Sequence, residues 1–312
     1  MAAMKILNLG SLNIDKVYNV PHFVTAGETI SSTKMETFCG GKGLNQSIAL
    51  ARAGAEVYHA GAIGTDGEML RQQLETAGVE IRYLQVLDTV TGHAIIQLTP
   101  EGKNSIIISA GANGEISQEY IDRILTEFKA GDLLLLQNET SNVAYAMRQA
   151  KARGMKIAFN ASPMDEKLMQ YPLELVDYFL INEIEGALLA GLPVSESADE
   201  ILGCLSEKFP KATIVLTIGE NGVLLSDGGQ VLRHGIYRVK AVDTTAAGDT
   251  FCGFFLASAA AGIAPEACLE RASMASAIAV SRMGAAASIP TAAEVDDFAQ
   301  CQRGLGMGLQ QG

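Results

Sequence analysis

The sequence predicts an α/β fold, a three-layer sandwich in which helices cover both faces of a mostly parallel central sheet, with a small β-sheet lid. Short apolar runs alternate with amphipathic segments over most of the chain. Apolar runs of this kind are typical of strands buried on both faces, as in parallel sheets between helices. Two stretches, about 14–38 and 92–110, break the alternation with short exposed strands and predict the lid. We expect one domain over residues 1–312.

Apolar runs predict the strands, and helical periodicity, in several cases ended by glycine, predicts the helices. Up to residue 109, strands are predicted at 5–9, 17–20, 28–33, 57–63, 93–99 and 105–109, and helices at 45–53 and 68–77. From residue 116 onward, strands are predicted at 132–136, 156–159, 178–181, 213–218, 222–225 and 235–242, and helices at 116–128, 143–153, 183–190, 198–208 and 251–262. A tail rich in glycine and glutamine begins at about Gly304.

Composition and charge narrow the classes of function. Of the 312 residues, 48% are hydrophobic and only 6% aromatic, with no tryptophan, so the core is expected to be aliphatic. The net charge of -12, from 35 acidic and 23 basic residues, argues against a nucleic-acid surface and is typical of a soluble cytoplasmic protein. It does not exclude anionic substrates, because a local anion site is independent of net charge.

The cysteines indicate reduced thiols, because they are odd in number, widely spaced and form no Cys-x-x-Cys motif. They are Cys39, Cys204, Cys252, Cys268 and Cys301. The first residues lead directly into a strand without the pattern of a signal peptide. The longest run of small apolar residues, 251–264, is shorter than the ~20 residues of a membrane span, so no membrane association is expected.

The segment 243–251, Asp-Thr-Thr-Ala-Ala-Gly-Asp-Thr-Phe, joins the predicted strand 235–242 to a buried helix. A small-residue turn that opens a helix directs backbone N–H groups and the positive end of the helix dipole at one point, which suits a phosphate. Asp249 has two interpretations. It is a helix N-cap, or it is a base that takes the proton from a hydroxyl attacking phosphorus.

The segment 39–45, Cys-Gly-Gly-Lys-Gly-Leu-Asn, is a glycine-rich turn at a predicted helix start. It is not a P-loop, because Gly43 rather than Ser or Thr follows Lys42, and Glu36 occupies the position of the first motif glycine. The turn is expected to bring Lys42 and Asn45, with bare backbone, up to a small hydroxylated ligand.

Polar residues also follow other predicted strands, where open α/β sheets bind ligands. Asn13 and Asp15 point the same way in an extended chain and either hold the hydroxyls of a polyol or form Asx turns. Asn182 and Glu185 begin a helix, where they either compensate its dipole or hold Mg²⁺ waters and phosphate. Two further polar turns are 137–139 and 219–222. Their convergence favours a phosphoryl-transfer enzyme.

With these residues assembled, the chain resembles the ribokinase family of carbohydrate kinases, also called the PfkB family, from about Ile6 to Pro290. The resemblance rests on two motifs about 200 residues apart. The first is 40–45 with Gly-Ser-Leu-Asn-Ile-Asp at 10–15 upstream, and the second is 243–251. The segment 110–113, Ala-Gly-Ala-Asn, also matches, as do the residues at 182 and 185. The family's turn is often Gly-Ala-Gly-Asp, and here Ala246 replaces the first glycine with another small residue.

The resemblance implies that the lid closes over a sugar and contributes to a homodimer. The residues it implies for the sugar hydroxyls are Asn13, Asp15, Gly41, Lys42, Gly43, Asn45 and Glu139. It implies Asp249 as the base, and the N–H groups of Ala246, Ala247 and Gly248 as the anion hole for the γ-phosphate. The residues it implies for ATP, Mg²⁺ and the phosphates are Asn182, Glu185, Thr217, Gly219, Gly222 and Gly248.

Members of this family also bind an activating K⁺ beside the anion hole. The matching positions here are Asp243, Thr245, Ala279, Arg282, Gly284 and Ser288. The resemblance therefore implies an ATP- and Mg²⁺-dependent kinase that phosphorylates the primary 5-hydroxyl of D-ribose. Two alternatives stay open. One is a kinase for deoxyribose, fructose or a ribonucleoside, since lid sequences around His93 and Ser109 vary with the sugar. The other is a catalytically inactive sugar- or nucleotide-binding regulator, against which an intact Asp249 argues.

Overall fold

The computed structural model describes residues 4–304, so the predicted tail beyond Gly304 lies outside the described residues. The strands are β1 (Ile6–Leu9), β2 (Asn13–Asn19), β3 (Lys34–Gly40), β4 (Val57–Ile63), β5 (Glu80–Val86), β6 (Gly92–Leu98), β7 (Asn104–Ser109), β8 (Leu133–Gln137), β9 (Lys156–Asn160), β10 (Tyr178–Asn182), β11 (Thr213–Thr217), β12 (Val223–Asp227) and β13 (Gln230–His234). The helices are α1 (Lys42–Arg52), α2 (Glu68–Thr76), α3 (Gln118–Leu125), α4 (Val143–Ala152), α5 (Glu183–Ala190), α6 (Ala198–Lys208), α7 (Ala247–Ala260), α8 (Pro265–Val280) and α9 (Ala292–Gly304).

Nine strands form the large sheet, in the order β13-β12-β11-β10-β9-β8-β1-β4-β5. Its pairs are parallel except where β12 meets β11 and β13. The side chains of β1 alternate between two hydrophobic cores. Leu7 and Leu9 pack into the core on one face of the large sheet, and Ile6 packs into the core on the other face. Helices α3 to α6 pack on the first face, and α1, α2, α7, α8 and α9 pack on the second. The predicted three-layer sandwich is therefore confirmed.

Four strands form a separate small sheet, in the order β3-β2-β6-β7. β2 runs antiparallel to β3 and parallel to β6, and β6 and β7 form a hairpin. Both stretches that break the strand–helix alternation supply strands to it, as predicted. β7 is exposed along its whole length, so the sheet has surface that this chain leaves uncovered.

Two predicted strands are wrong. The strand predicted at 28–33 lies instead at Lys34–Gly40, because β3 must pair with β2, and the register aligns Lys34 with Asn19. The strand predicted at 235–242 does not form. β13 already occupies the sheet edge at Gln230–His234, and the chain after it bonds to the end of α8, where the Val242 N–H donates to the Val280 carbonyl at 2.8 Å.

Four observed elements have no counterpart among those predicted: β5, β13, α8 and α9. In β5 the alternation of polar and apolar residues stops after Tyr83, and α8 buries alanines with little amphipathic contrast, so the periodic signal is weak in both. The predicted free thiols are confirmed for all five cysteines. Across residues 4–304, no helix combines the length and apolarity needed to cross a bilayer.

Candidate active site

Asp249 lies in the first turn of α7. The helix follows Ala246, whose φ of 60° turns the backbone through the left-handed region. Ala246 is the N-cap and no side chain caps the helix, so the N-cap interpretation of Asp249 is wrong. Asp249 is instead 8% exposed, and its carboxylate accepts hydrogen bonds from Asn45 Nδ2 at 3.0 Å and Gln46 Nε2 at 2.8 Å. The two glycine-containing motifs, far apart in sequence, thus meet at this carboxylate.

Glu139, which follows β8, connects to the same end of α1. Its Oε2 accepts from the Lys42 N–H at 3.1 Å and from the Ser11 hydroxyl. The Ser11 hydroxyl also accepts from the Gly43 N–H at 3.2 Å. Burial raises the pKa of the Glu139 carboxyl, and its hydrogen bond from Ser11 and the charge of Lys42 oppose that rise. The ends of β1 and β8 and the start of α1 therefore form one polar cluster.

In the turn at 39–45, two positions require glycine because of the local backbone geometry. Gly41 has a φ of 97°, which side chains rarely adopt. A Cβ on Gly43 would lie 2.3 Å from the Ser11 nitrogen. The bare backbone predicted to admit a ligand therefore also allows α1 to start against the end of β1.

The small sheet contributes Asn13 and Asp15 on β2. Both residues pair within the sheet ladders, so the Asx-turn interpretation of this pair is wrong. Asn13 Oδ1 accepts from Asn113 Nδ2 at 2.9 Å, and Asn113 is itself fixed by the Leu12 backbone. Burial, followed by the nearby charge of Glu139, raises the pKa of Asp15 to about 6. These polar groups of the small sheet therefore face those of the large sheet.

A cavity of about 230 Å³ opens beside Asp249. It is lined by Lys42, Asn160, Leu180, Ile181, Asn182, Glu185, Val215, Thr217, Thr244, Ala246, Ala247, Gly248, Asp249, Phe251 and Cys252. The predicted anion-hole residues and the predicted nucleotide-side residues Asn182, Glu185 and Thr217 are thus brought together. Gly219 and Gly222 follow Thr217 in a short 3₁₀ turn and do not line this cavity.

Lys42 lines this cavity as well as the polar cluster. Burial lowers the pKa of its ammonium, but the charges of Asp249, Glu139 and Glu185 outweigh burial and hold the pKa above its usual value. The ammonium therefore stays charged beside the first turn of α7. A cavity with a fixed cation and a helix N-terminus suits a phosphate.

Asn182 and Glu185 are both a cap and a part of the cavity wall. They form a capping box at the start of α5, with Asn182 Oδ1 accepting from the Glu185 N–H at 2.9 Å and Glu185 Oε2 accepting from the Asn182 N–H at 3.0 Å. Asn160 Oδ1, buried in the same wall, has no partner among the described residues. These oxygens fit Mg²⁺, which uses few protein carboxylates and keeps water and phosphate ligands. Among the described residues, no three or more His, Cys, Asp or Glu form a metal cluster.

The positions implied for K⁺ lie on both sides of the turn before α7. Asp243 accepts from the Thr245 N–H at 2.9 Å and from the Gly284 N–H at 2.9 Å, and its own N–H donates to the Val280 carbonyl. The carboxylate therefore ties this turn to the loop after α8. Of the other positions, Ala279 lies in the last turn of α8 and accepts from the Arg282 N–H. Arg282, Gly284 and the buried Ser288, which donates to the Ala285 carbonyl, lie in the loop that follows. A carboxylate beside the carbonyl end of a helix fits a cation.

Four polar residues of the site have no assigned role in the sequence analysis: Ser11, Gln46, Asn113 and Asn160. Gln46 adjoins a predicted site residue, and Ser11 and Asn113 lie in segments that match the family. Asn160 becomes recognisable only through its place in the cavity wall. Polar residues at strand ends are common, so sequence position alone does not separate these from ordinary turn residues.

The chain is similar to known proteins over nearly its whole length. The family described as pfkB family carbohydrate kinase matches residues 3–292. A ribokinase of Haemophilus influenzae is 34% identical over 297 residues, covering 93% of this chain and 96% of that protein. A deoxyribokinase of Salmonella typhi is 31% identical over 303 residues, covering 95% and 98%. The structure of Arabidopsis thaliana ribokinase complexed with ribose and ATP superposes with a TM-score of 0.82 at 28% identity, covering 96% and 99%.

The fold and the site together define a carbohydrate kinase. The chain belongs to the pfkB family of carbohydrate kinases, and it is therefore a phosphotransferase that acts on a hydroxyl group.

Proposed function

We propose that this protein transfers the γ-phosphoryl group of ATP to the primary 5-hydroxyl of D-ribose, giving ribose 5-phosphate and ADP. The ribokinase of Haemophilus influenzae supports ribose as the acceptor, and the Arabidopsis complex with ribose and ATP supports the substrate pair. Polar side chains of the small sheet and of α1, among them Asn13, Asp15 and Asn45, supply donors and acceptors for a small polyol.

The observation that carries the proposal is the position of the Asp249 carboxylate between two groups of residues. Asn45 and Gln46 bond to it on the side of the polar cluster, and Asp249 also lines the cavity that contains Glu185. Each carboxylate oxygen keeps a lone pair beyond its amide bond. Asp249 thus takes the proton from the sugar hydroxyl as that oxygen bonds to the γ-phosphorus and the bond to ADP breaks.

The N-terminus of α7 would receive the negative charge of the transferring group. The N–H groups of Ala246 and Gly248 and the helix dipole support this role. The Ala247 N–H already donates to the Thr244 carbonyl at 3.2 Å, so it contributes least. The ammonium of Lys42 adds a fixed positive charge, and its place in this cavity favours contact with phosphate besides the sugar.

Mg²⁺ would supply charge neutralisation for the phosphates. Asn182, Glu185 and Asn160 would hold its waters, and Thr217 with the turn at Gly219 and Gly222 would accommodate the rest of ATP. K⁺ would bind at Asp243 and stiffen the turn that carries the anion hole. It would act from outside the substrate pocket, as an activator.

The small sheet would be a lid that closes over the sugar and joins two copies of the chain. Ile106, Ile107 and Ile108 on β7 are 49%, 62% and 57% exposed. Ile106 and Ile108 share one face of the sheet, and Ile107 lies on the other face with Ile95, its partner on β6. Adjacent exposed apolar side chains on a sheet are typical of interaction surfaces. The lid of a second copy of this chain would cover this surface.

A second candidate acceptor is another small sugar or a nucleoside. The deoxyribokinase relative favours deoxyribose. Phe38 is 44% exposed and lies opposite Asp15 in the β2–β3 ladder, so its ring shares the face that carries Asp15 and can stack a base.

The deciding experiment measures ADP release from ATP and Mg²⁺ with ribose, deoxyribose, fructose, other pentoses and hexoses, and ribonucleosides, each in K⁺ or Na⁺. Ribose is expected to give the highest kcat/KM, and K⁺ to exceed Na⁺. If ribose releases no more ADP than ATP alone does, the ribose assignment is wrong, and the acceptor with the highest kcat/KM replaces it.

A further inference from the structure

Behind Asp249 lies a buried network of neutral polar side chains that no proposed substrate reaches. Its members are Asn8, Gln46, Ser47, His59 and Gln137, and each is at most 1% exposed. Gln137 Nε2 donates to Gln46 Oε1 at 2.7 Å and to Asn8 Oδ1 at 3.0 Å. Asn8 Nδ2 donates to Ser47 Oγ at 2.8 Å, and Ser47 Oγ lies 2.8 Å from His59 Nδ1. Gln46 is the member that contacts the carboxylate.

The orientation of the Gln46 amide is fixed at both ends. Its nitrogen donates to Asp249 Oδ1 and its oxygen accepts from Gln137. A flip would place two acceptors together at Asp249 and two donors together at Gln137. The amide therefore presents only an N–H to the carboxylate.

Asn45 and Gln46 both bond to Asp249 but differ in what else they contact. Asn45 Oδ1 is buried with no partner among the described residues, as suits a group that awaits a ligand. Gln46 uses both of its amide ends within the protein and is 0% exposed, so it does not contact a substrate.

The network lowers stability compared with an apolar core. Gln137 Oε1 and His59 Nε2 are buried without a partner among residues 4–304, and unpaired buried polar atoms are unfavourable. His59 is neutral, since burial lowers its pKa to about 3. Gln46, the member that contacts the carboxylate, thus presents an oriented dipole and no net charge to Asp249.

We propose that Gln46 is a positioning residue that holds the Asp249 carboxylate, in its charged form, at the angle needed to accept the hydroxyl proton. This proposal rests on the proposed role of Asp249. A hydrogen bond to a charged, buried group is stronger than one to a neutral group. Its loss lets the carboxylate rotate and makes it easier to protonate.

The groups that face Asp249 with a charge or a titratable proton are Lys42 on α1, Glu139 after β8, Cys252 on α7 and, across the cavity, Glu185 on α5. A substitution at Gln46 leaves all four in place. A change in the pH dependence of a Gln46 variant therefore reports on the lost hydrogen bond.

The test compares kcat, the KM values for ribose and ATP, and the kcat–pH profile in wild type, Gln46→Met and Gln46→Glu. Gln46→Met keeps the length of the side chain and removes both hydrogen bonds of its amide. It is expected to lower kcat about 10- to 100-fold, with both KM values changed less than about threefold and the acidic limb moved up by about one pH unit. Gln46→Glu keeps the volume of the side chain and the oxygen that accepts from Gln137. Its kinetics can therefore be measured even if Gln46→Met fails to fold. Its acidic limb should move further, because two carboxylates would share a proton.

Ser47→Ala is the matched control. Ser47 is adjacent on α1, equally buried, and loses its bonds to Asn8 and His59 without contacting Asp249. It is expected to lower the melting temperature while kcat and the acidic limb stay unchanged. A folded Gln46 variant with the wild-type kcat and acidic limb would overturn the proposal. If Asp249→Asn were also fully active, the role of Asp249 itself would be wrong, and so the two failures are distinguishable.

Discussion

The large and small sheets differ in how their strands are buried. In β1 and β8 every residue is at most 2% exposed, because helices cover both faces of the sheet. In β7 every residue is exposed. Side chains packed on all sides have one arrangement, whereas a sheet with an open face is held mainly by its own ladder.

The candidate site divides along the same line. Asp249 and the cavity beside it belong to the large sheet and its helices, where buried amides fix the carboxylate. Asn13 and Asp15 belong to the small sheet. The groups proposed for phosphoryl transfer thus lie on the part that is buried on both faces, where a small displacement is costly in rate. The groups proposed for recognising the acceptor are divided between that part, which carries Asn45, and the small sheet with its open face, which carries Asn13 and Asp15.

The largest effect on activity is expected at Asp249, on the helices that cover the large sheet. Asp249→Asn should lower kcat at least about 100-fold, because the base is lost, while ATP binding measured by calorimetry stays near that of wild type. Asp297→Asn, an exposed aspartate on α9, is the control and should leave kcat unchanged. Retained turnover in Asp249→Asn would mean that the base is misassigned.

On the small sheet, Asp15→Asn should mainly affect KM. The KM for ribose is expected to rise about 10-fold or more through loss of a hydrogen bond to a charged acceptor, with kcat changed much less. If kcat fell as far as in Asp249→Asn while KM stayed constant, the division between the two sheets would not hold.

The same variant should be more stable than wild type at high pH. Because the folded protein raises the pKa of Asp15 from 3.8 to about 6, burial of this carboxyl has no electrostatic cost below pH 4, the cost grows between pH 4 and pH 6, and it is fully present above pH 6. Asp15→Asn removes a cost of up to about 3 kcal/mol at pH 8. Urea unfolding at pH 4 and pH 8 measures it. An equal difference between variant and wild type at both pH values would contradict the prediction.

A related effect is expected in the wild-type protein. Between pH 8 and pH 5 the KM for ribose should rise by up to about 10-fold as Asp15 is protonated. In Asp15→Asn the KM should be nearly independent of pH over this range, which separates Asp15 from other titrating groups. A parallel rise in both proteins would assign the titration to another residue.

The smallest effect on folding is expected at β7, the strand of the small sheet whose residues are all exposed. Ile106→Lys combined with Ile108→Lys should shift a dimer to monomer in sedimentation velocity, while the free energy of unfolding of the monomer changes by less than about 0.5 kcal/mol per site. Val231→Lys on β13, with a residue 52% exposed, is the control and should stay dimeric. A monomeric wild type at tens of micromolar would exclude the lid as a dimer interface.

Several elements were predictable because their signal is local. The strand Val57–Ile63 and the helices Glu183–Ala190 and Ala198–Lys208 have the predicted bounds, since a mostly apolar run between polar segments, or a helix that starts at a capping side chain such as Asn182 or Ser197, leaves few alternatives. The strands predicted at 28–33 and 235–242 failed because a strand also needs a partner. β2 sets the register of β3, and β13 already forms the sheet edge.

The sequence by itself determined the fold class, the two motifs and the residue types of the site, because alternation and glycine-rich turns are encoded in short segments. Only the tertiary structure decided that Asp249 is not a cap, that Lys42 faces the cavity, and that Gln46 and Ser11 belong to the site. Those roles depend on contacts between residues far apart in sequence, such as Gln46 and Asp249, 203 positions apart. The sequence around a side chain does not show which distant residue that side chain contacts in the folded protein.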